Sequence, residues 1–392
     1  MSTATNKRVT ILGYYGAGNT GDEAILAGMI QALKEQGITD ITVLTRNPLL
    51  TKLEHQVKVV YTGRRSNGLA EVYQTIKNSD LFILGGGGLL HDYTARVVPY
   101  WLSRVALAVI AKTPIYIYAN GVGPIYRPFS KFLIRRFVNK VDYITVRDES
   151  SAVLLSELKV TRPPIEVTAD PALLLTTDLT NTELNTIYQT NLKLNPTRLN
   201  IAVSLRPWED DSYIDNVVIT LASMMIRHNV DFTLIPFQYG LDESINKWTT
   251  QQLNVIINTT KDAVRYLEDT YTPEEMVAVL GQFDGIIGMR LHSLALGAIT
   301  NRPLFALSYD DKVANFMDAV GLHEYNYSLQ EVVFYQEKFA AVLNNWLTLL
   351  KNENTNELTR PQVRALQQRA ERNAEIAGEL LAKHNRNTNK GA

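Results

Sequence analysis

The chain has 392 residues, more than one hydrophobic core usually organises, so two domains are expected. A hydrophobic content of 45% with 20% charged residues is that of a globular protein, and 39 basic against 40 acidic residues leave a formal net charge of −1. That balance argues against nucleic acid or an anionic membrane surface as a partner, so any strong anion site must be local. The absence of cysteine excludes disulfides, thiolate zinc sites and cysteine nucleophiles, and fits a reducing compartment.

The opening MSTATNKRVTILG lacks the long apolar core of a secretory signal, because residues 9–12 already read as a first strand. The longest apolar segment, residues 97–111, carries Arg104 and is shorter than the roughly 20 residues a spanning helix needs. No membrane span is expected, and a soluble cytoplasmic protein, at most peripheral at the inner face of the membrane, is the reading. Strand-like runs at 9–15, 41–44, 81–84, 115–119, 143–146 and 165–168 alternate with helical ones such as 24–36. That alternation predicts a parallel, doubly wound sheet.

Between residues 176 and 200 apolar content thins and Asn and Thr dominate, which marks a linker carrying a short helix. A second alternation follows, with strands at 201–205, 232–236, 285–288 and 304–307. Beyond Gly321 the chain turns helical and polar, with helices at 337–350 and 361–383 and a disordered tail from His384. The expected fold class is therefore α/β, two Rossmann-like domains facing a cleft, with C-terminal helices. The domain boundaries read as 1–176, a linker at 177–199, 200–325, and C-terminal helices and tail at 326–392. The oligomeric state is open.

One stretch concentrates the chemistry. An apolar strand, 285–288, breaks at Met289-Arg290-Leu291-His292, and a run of small and apolar residues begins at Ser293, which is read as its N-cap. Arg290 and His292 thus sit at the carboxyl end of a strand beside the first turn of a helix, whose unpaired N–H groups attract anions. This is also the rim where open α/β sheets bind ligands. Lys312, after the following strand, supplies a third cation. Arg147 and Arg206 end two further strands, and a surface ion pair is the alternative reading of each. Trp208 would either stack on a sugar ring or pack.

Gly16-Ala-Gly18-Asn-Thr-Gly21 fits the dinucleotide fingerprint, G-x-G-x-x-G. Asp22 and Glu23 follow at once, however, and two carboxylates in the first helical turn would repel a pyrophosphate. The loop is read either as a tight turn with acids complementing the helix dipole, or as a hydroxyl-binding loop using Asn19 and a carboxylate. Gly85–Gly88, including Gly86 and Gly87, permits close backbone approach to a ligand or a turn with positive φ. His91-Asp92 beyond it either caps the next helix or lines the cleft. No H-E-x-x-H, D-x-D, P-loop or G-x-S-x-G occurs, so no metal is expected.

Taken together, the motifs resemble the polysaccharide pyruvyl transferase family, in particular its CsaB-type cell-wall branch. The match is carried by Gly13-Tyr-Tyr-Gly16…Gly18-Asn-Thr-Gly-Asp22-Glu-Ala, Leu84-Gly-Gly-Gly-Gly-Leu-Leu-His-Asp92 and Tyr118-Ala-Asn-Gly-Val-Gly-Pro124. It continues through Thr145-Val-Arg-Asp-Glu149, Thr168-Ala-Asp-Pro171, Ser204-Leu-Arg-Pro-Trp208, Gly288-Met-Arg-Leu-His292 and Ala306-Leu-Ser-Tyr-Asp310…Lys312. These occur in order over residues 8–322, and His91 departs from the glutamine of the family pattern.

The resemblance implies a GT-B-like fold and a phosphoenolpyruvate donor, with no cofactor. It implies a cyclic pyruvate ketal on O4 and O6 of an N-acetylmannosamine residue in a secondary cell-wall polymer that anchors S-layer proteins. The acceptor is expected to be lipid-linked. Phosphoenolpyruvate carries a carboxylate and a phosphate on neighbouring atoms, so a compact set of cations suits it. Arg147 and Arg290 are assigned to those two groups, with Lys312 adding charge and the helix at Ser293 receiving phosphate oxygens. His292 is the general acid, Asp22 or Glu23 the base or hydroxyl anchor, and Arg206, Tyr14, Asn19, Gly86 and Gly87 further substrate contacts. The competing readings are a nucleotide-sugar glycosyltransferase of the same architecture, a dinucleotide-dependent reductase and a non-catalytic glycan-binding protein.

Overall fold

A computed structural model describes residues 7–63, 68–176, 179, 192–257, 264–352 and 360–388. The chain divides into two compact units. The first comprises residues 1–17, 22–174 and 366–392, the second residues 18–21 and 175–365.

The first unit alternates strand and helix in chain order. It runs β1 (Arg8–Leu12), α1 (Thr20–Glu35), β2 (Asp40–Thr45), α2 (Pro48–His55), β3 (Lys58–Tyr61), α3 (Gly68–Lys77), β4 (Leu81–Leu84) and β5 (Gly87–Leu90). It continues with α4 (Val97–Ala111), β6 (Ile115–Val122), α5 (Pro128–Phe137), β7 (Tyr143–Val146), α6 (Glu149–Glu157) and β8 (Ile165–Val167). The parallel sheet has the order β3-β2-β1-β4-β6-β7-β8, with β5 paired to the end of β6. All four residues of β4, Leu-Phe-Ile-Leu, are buried, as a strand covered by helices on both faces requires. The glycines between β4 and β5 are needed because α1 packs on them: a Cβ at Gly86 would lie 2.8 Å from Ile25 Cγ2.

The second unit repeats the plan. Its elements are β9 (Leu199–Ser204), α7 (Ile214–Arg227), β10 (Val230–Leu234), α8 (Glu243–Ile257), β11 (Val264–Tyr266), α9 (Pro273–Leu280) and β12 (Gly285–Gly288). Then come α10 (Leu291–Ile299), β13 (Leu304–Ser308), α11 (Asp311–Ala319), β14 (Asn326–Ser328), α12 (Leu329–Phe334) and α13 (Gln336–Asn352). The parallel order β11-β10-β9-β12-β13-β14 is that of the doubly wound dinucleotide-binding sheet, with its reversal point between β9 and β12.

The last helix, α14 (Arg360–Thr388), changes the expected domain plan. Residues 326–392, expected to form one C-terminal segment, divide between the units. Phe339 and Trp346 on α13 pack on buried Phe305 of β13, with Trp346 5.7 Å away by ring centroid, so this helix completes the second core. From Leu366 onward α14 belongs to the first unit, through buried Asn373. The Asn373 amide donates to Ala169 O at 3.2 Å and accepts from Thr168 Oγ1 at 2.7 Å, while the Tyr116 hydroxyl donates to the Asn373 carbonyl. The tail expected to be disordered from His384 is helical as far as Thr388. Most of the expected linker, 177–199, and its short helix lie outside the described residues.

Asn373→Ala leaves the Thr168 hydroxyl and the Ala169 carbonyl buried without this partner. It should cost about 2–3 kcal/mol and lower the melting temperature, measured by calorimetry; an unchanged melting temperature would place the helix elsewhere.

Candidate functional site

Three adjacent strands of the second unit set the geometry. Gly288 at the end of β12 pairs with Ser204 of β9 on one side and Ala306 of β13 on the other. The residues that follow these ends are therefore neighbours: Arg206 after β9, Arg290 and His292 after β12, Tyr309 and Lys312 after β13. This is the reversal point of the sheet, where ligands bind in such folds.

The cations differ in how they are held. The Arg290 guanidinium is 11% exposed and makes a two-pronged pair with fully buried Asp242 through Nε, at 3.0 Å, and Nη2. Asp242 also accepts the N–H groups of Phe237 and Gln238, so this pair fixes the loop after β10. Lys312 Nζ lies 3.3 Å from Asp310, whose carboxylate caps α11. Arg206 has no carboxylate partner among the described residues. Its guanidinium lies 4.5 Å from the Tyr309 ring centroid and 5.1 Å from that of Trp208. Lys312 Nζ sits 4.8 Å from the same Tyr309 ring. Trp208 packs against Tyr309 at 4.6 Å, so its ring is taken up by this cluster.

Tyr309 was not among the candidate residues, yet it joins the cations. Burial alone would push its phenol up. Lys312, Arg206 and Arg290, together with a hydrogen bond from Lys312, outweigh burial and hold it below the ordinary value. A phenol acidified in this way reports a concentrated positive field. The sequence signal was its place in the Ser308-Tyr-Asp-Asp-Lys312 turn; nothing in spacing marked the ring as a shared support.

His292 lies half-buried in the first turn of α10. The expected N-cap Ser293 is instead the third residue of that helix: Arg290 takes the cap position and the Ser293 hydroxyl donates to the Arg290 carbonyl at 2.6 Å. Ser293 is buried and thus occupied within the helix. The tip of the first glycine loop, residues 18–21, belongs to this unit. Thr20 N–H donates to Phe237 O at 2.8 Å, Tyr239 N–H donates to Gly18 O at 2.9 Å, and Asn19 forms an antiparallel bridge with Gln238. A Cβ at Gly21 would lie 2.2 Å from Nδ1 of His292, so only glycine lets the loop reach the histidine. Asn19, expected to face a sugar, uses its side-chain oxygen to accept the Gly21 N–H.

In the first unit several expected substrate contacts turn inward. Glu23 is buried; its Oε1 accepts the Gly16 N–H at 2.7 Å and its Oε2 lies 3.1 Å from Nε2 of buried His55. It braces the glycine turn and is not placed as a hydroxyl anchor. Glu54 joins the pair, and donors of Glu23, Glu54 and His55 lie within 4.8 Å of one another, a spacing that could hold a cation. Asp22 is half-buried, its Oδ1 3.1 Å from where a Cβ on Gly87 would stand, and Gly87 has φ +97°. Tyr14 carries Arg46 over its ring at 4.4 Å.

Arg147, assigned to the donor, is 8% exposed and pairs with Asp170 at 3.1 Å and Asp148 at 3.6 Å. It lies so close to Gly121 that a Cβ there would come within 2.9 Å of the guanidinium. Two carboxylates already compensate its charge. Asp92 neither lines an opening nor caps α4. Fully buried, it accepts the N–H groups of Tyr126 and Arg127 at 2.9 and 2.7 Å, at the entry to α5. Burial pushes its carboxyl up, but those N–H groups, the Ser130 hydroxyl and Arg127 prevail and hold it below the usual range.

With this geometry in place, comparison with known proteins decides the family. The polysaccharide pyruvyl transferase sequence profile matches residues 19–311, about three quarters of the chain. The chain belongs to the polysaccharide pyruvyl transferase family. It carries that family's transferase domain and is therefore an enzyme of this class.

A curated relative of this pyruvyl transferase is the amylovoran biosynthesis protein AmsJ of Erwinia amylovora, 21% identical over 373 residues, 83% of this chain and 89% of that protein. Among solved structures, UDP-GlcNAc 2-epimerase from Methanocaldococcus jannaschii aligns with a TM-score of 0.64 at 12% identity, covering 95% of this chain and 99% of the other. A glycosyltransferase from Rickettsia africae gives a TM-score of 0.62 at 13% identity, and HepE from Anabaena, solved with UDP, 0.59 at 14%. Each covers 96% of this chain and 99% of the other. At such identities the likeness is one of fold: two parallel-sheet lobes of the GT-B kind.

Asp242→Ala strands a buried guanidinium and two N–H groups and should destabilise the enzyme by about 3–5 kcal/mol in denaturant unfolding. Asp242→Leu combined with Arg290→Met should cost less than Asp242→Ala alone. For Asp92 the depressed carboxyl gives stability that is complete above the unfolded value of about 3.9 and lost as pH falls through the lower native value. Thermal melts between about pH 5 and pH 2 should therefore fall more steeply for the wild type than for Asp92→Asn.

Proposed function

We propose that the enzyme transfers the pyruvyl unit of phosphoenolpyruvate onto a sugar of a cell-wall polymer, forming a cyclic ketal and releasing phosphate. The observation that carries the donor assignment is Arg206: half-buried, against the same Tyr309 ring as Lys312, and without a carboxylate partner among the described residues. A guanidinium in that state gains most from an anion that can take two of its N–H groups. The expected division of labour is accordingly revised. Arg206 and Lys312 bind the donor's anionic groups, Arg290 sets the local field from its pair with Asp242, and Arg147 organises the first unit with Asp170.

His292 is the proton donor. In its imidazolium form it delivers a proton to the methylene carbon, which becomes a methyl group, and leaves C2 electrophilic. One sugar hydroxyl adds to C2 and gives up its proton; a second then displaces phosphate from the same carbon, closing the ketal. Asp22, beside Gly87 in the first unit, is the candidate for hydroxyl recognition and proton removal. The acceptor is proposed, from the family resemblance, as a β-N-acetylmannosamine residue bridged at O4 and O6, presented on a lipid-linked polymer of the S-layer-anchoring kind.

A second reading, a nucleotide-sugar glycosyltransferase, is favoured by one observation. Structures similar over nearly the whole chain include HepE, solved with UDP. The same cations would then hold a diphosphate.

The test is incubation with phosphoenolpyruvate and a β-N-acetylmannosaminyl glycan, following released phosphate and the mass of the product. Phosphate release with gain of one ketal is expected. Arg206→Ala should raise KM for phosphoenolpyruvate about tenfold or more, and His292→Ala should lower kcat about a hundredfold with both substrates saturating. UDP binding without turnover of phosphoenolpyruvate would establish the second reading.

A further inference from the structure

The near-neutral balance of the whole chain conceals a segregation. Between Asp92 and Asp142 there is no acidic residue, while Arg96, Arg104, Lys112, Arg127, Lys131, Arg135, Arg136 and Lys140 fall in that interval. The one acid at its start, Asp92, is fully buried under Tyr126 and Arg127 and offers nothing to solvent. The stretch holds α4 and α5, which pack together on the first unit.

The outward face of α5 has an unusual composition. Its inward positions, Ser130 and Ile134, are buried, with Val138 just beyond its end. Opposite them, helical spacing places Lys131, Arg135, Phe132, Arg136 and Phe129 side by side, all exposed. Phe129 and Phe132 are 61% and 60% exposed, and Tyr126 just before the helix is 69% exposed. Two phenylalanines left in water on one short helix are not explained by packing.

We infer that α5 and its approach form a docking surface for an anionic phospholipid bilayer. Basic residues interleaved with aromatic ones on a single helix face suit the headgroup region: guanidinium and ammonium groups meet lipid phosphates while the rings enter the acyl boundary. Lys131, Arg135 and Arg136 make the exposed face of α5 complementary to such a surface, and the exposed Phe side chains need an apolar phase that a nucleic-acid backbone does not offer. The surface is built without any residue of the proposed donor site, so it stands or falls independently of the donor. Its use would be to hold the enzyme at the surface where a lipid-borne sugar chain is presented.

The experiment is co-sedimentation of the full chain with vesicles of phosphatidylglycerol mixed into phosphatidylcholine, against phosphatidylcholine alone, at low and high salt. Binding to the anionic vesicles, weakened by 0.5 M salt and absent with pure phosphatidylcholine, is expected. Arg135→Glu with Arg136→Glu should weaken it at least twentyfold, and Phe129→Ser with Phe132→Ser about tenfold or more. All four positions are exposed, so the melting temperature should fall by no more than a few degrees, the acids opposing the dipole in the last turn of α5, and loss of binding would not be loss of fold. No sedimentation with anionic vesicles at low salt overturns the inference. So does binding indifferent to the Phe substitutions, or an equal affinity for duplex DNA that they leave unaltered; those results would mean a general polyanion surface.

Discussion

Two positive charges share one aromatic ring. Arg206 and Lys312 both lie within about 5 Å of the Tyr309 centroid, and like charges do not gather without a reason. The ring's negative face offsets part of their repulsion, a contribution on the order of 1 kcal/mol for each cation. Arg290 adds to the field from its buried pair with Asp242, and the lowered Tyr309 phenol registers the sum. Lys312 and Arg290 have carboxylate partners in Asp310 and Asp242, so the charge left uncompensated among the described residues is that of Arg206, and the proposed anion site rests on it. Sheet topology is what makes the gathering unavoidable, because the three strands that deliver these residues are neighbours at the reversal point.

The first unit uses its charges differently. Its buried carboxylates are spent on backbone: Glu23 on Gly16, Asp92 on Tyr126 and Arg127, Asp170 on Ala172 as well as on Arg147. Each fixes the start of a loop or helix whose own N–H groups would otherwise be unpaired. The burial of Tyr15, beside Asp22, Glu23, Tyr118 and Asp170, pushes its phenol well up, a neutral hydroxyl in a crowd of acids. The glycines at 86 and 87 are consequences of α1 lying close against them.

Much of the fold was legible in the sequence because its signal is local. Leu81–Leu84, Tyr143–Val146 and Gly285–Gly288 are short apolar runs bounded by polar or glycine residues, and each is a strand with those bounds. The edge strands β3, β11 and β14 were missed: they are three or four residues long and incompletely buried, too short for a periodicity to show. Ser293 was misplaced as a cap because a serine ahead of an apolar run satisfies the pattern equally at the cap or one turn in. The candidate site was legible as a set of strand ends. Pairing was not: no spacing rule couples Arg290 to Asp242, Glu23 to His55 or Asn373 to Thr168, which are far apart in the chain and meet only once the sheet of their own unit is formed. For the same reason Arg147 and Arg290 looked like the available cations, and Arg206 like a lesser one.

A crystal structure of the enzyme with phosphoenolpyruvate tests the donor assignment most directly. Expected is the donor's phosphate or carboxylate within hydrogen-bond distance of both Arg206 and Lys312, above Tyr309, with the Arg290–Asp242 and Arg147–Asp170 pairs intact. Phosphoenolpyruvate held by Arg147 after release of Asp170, with Arg206 contacting no part of it, would contradict that assignment.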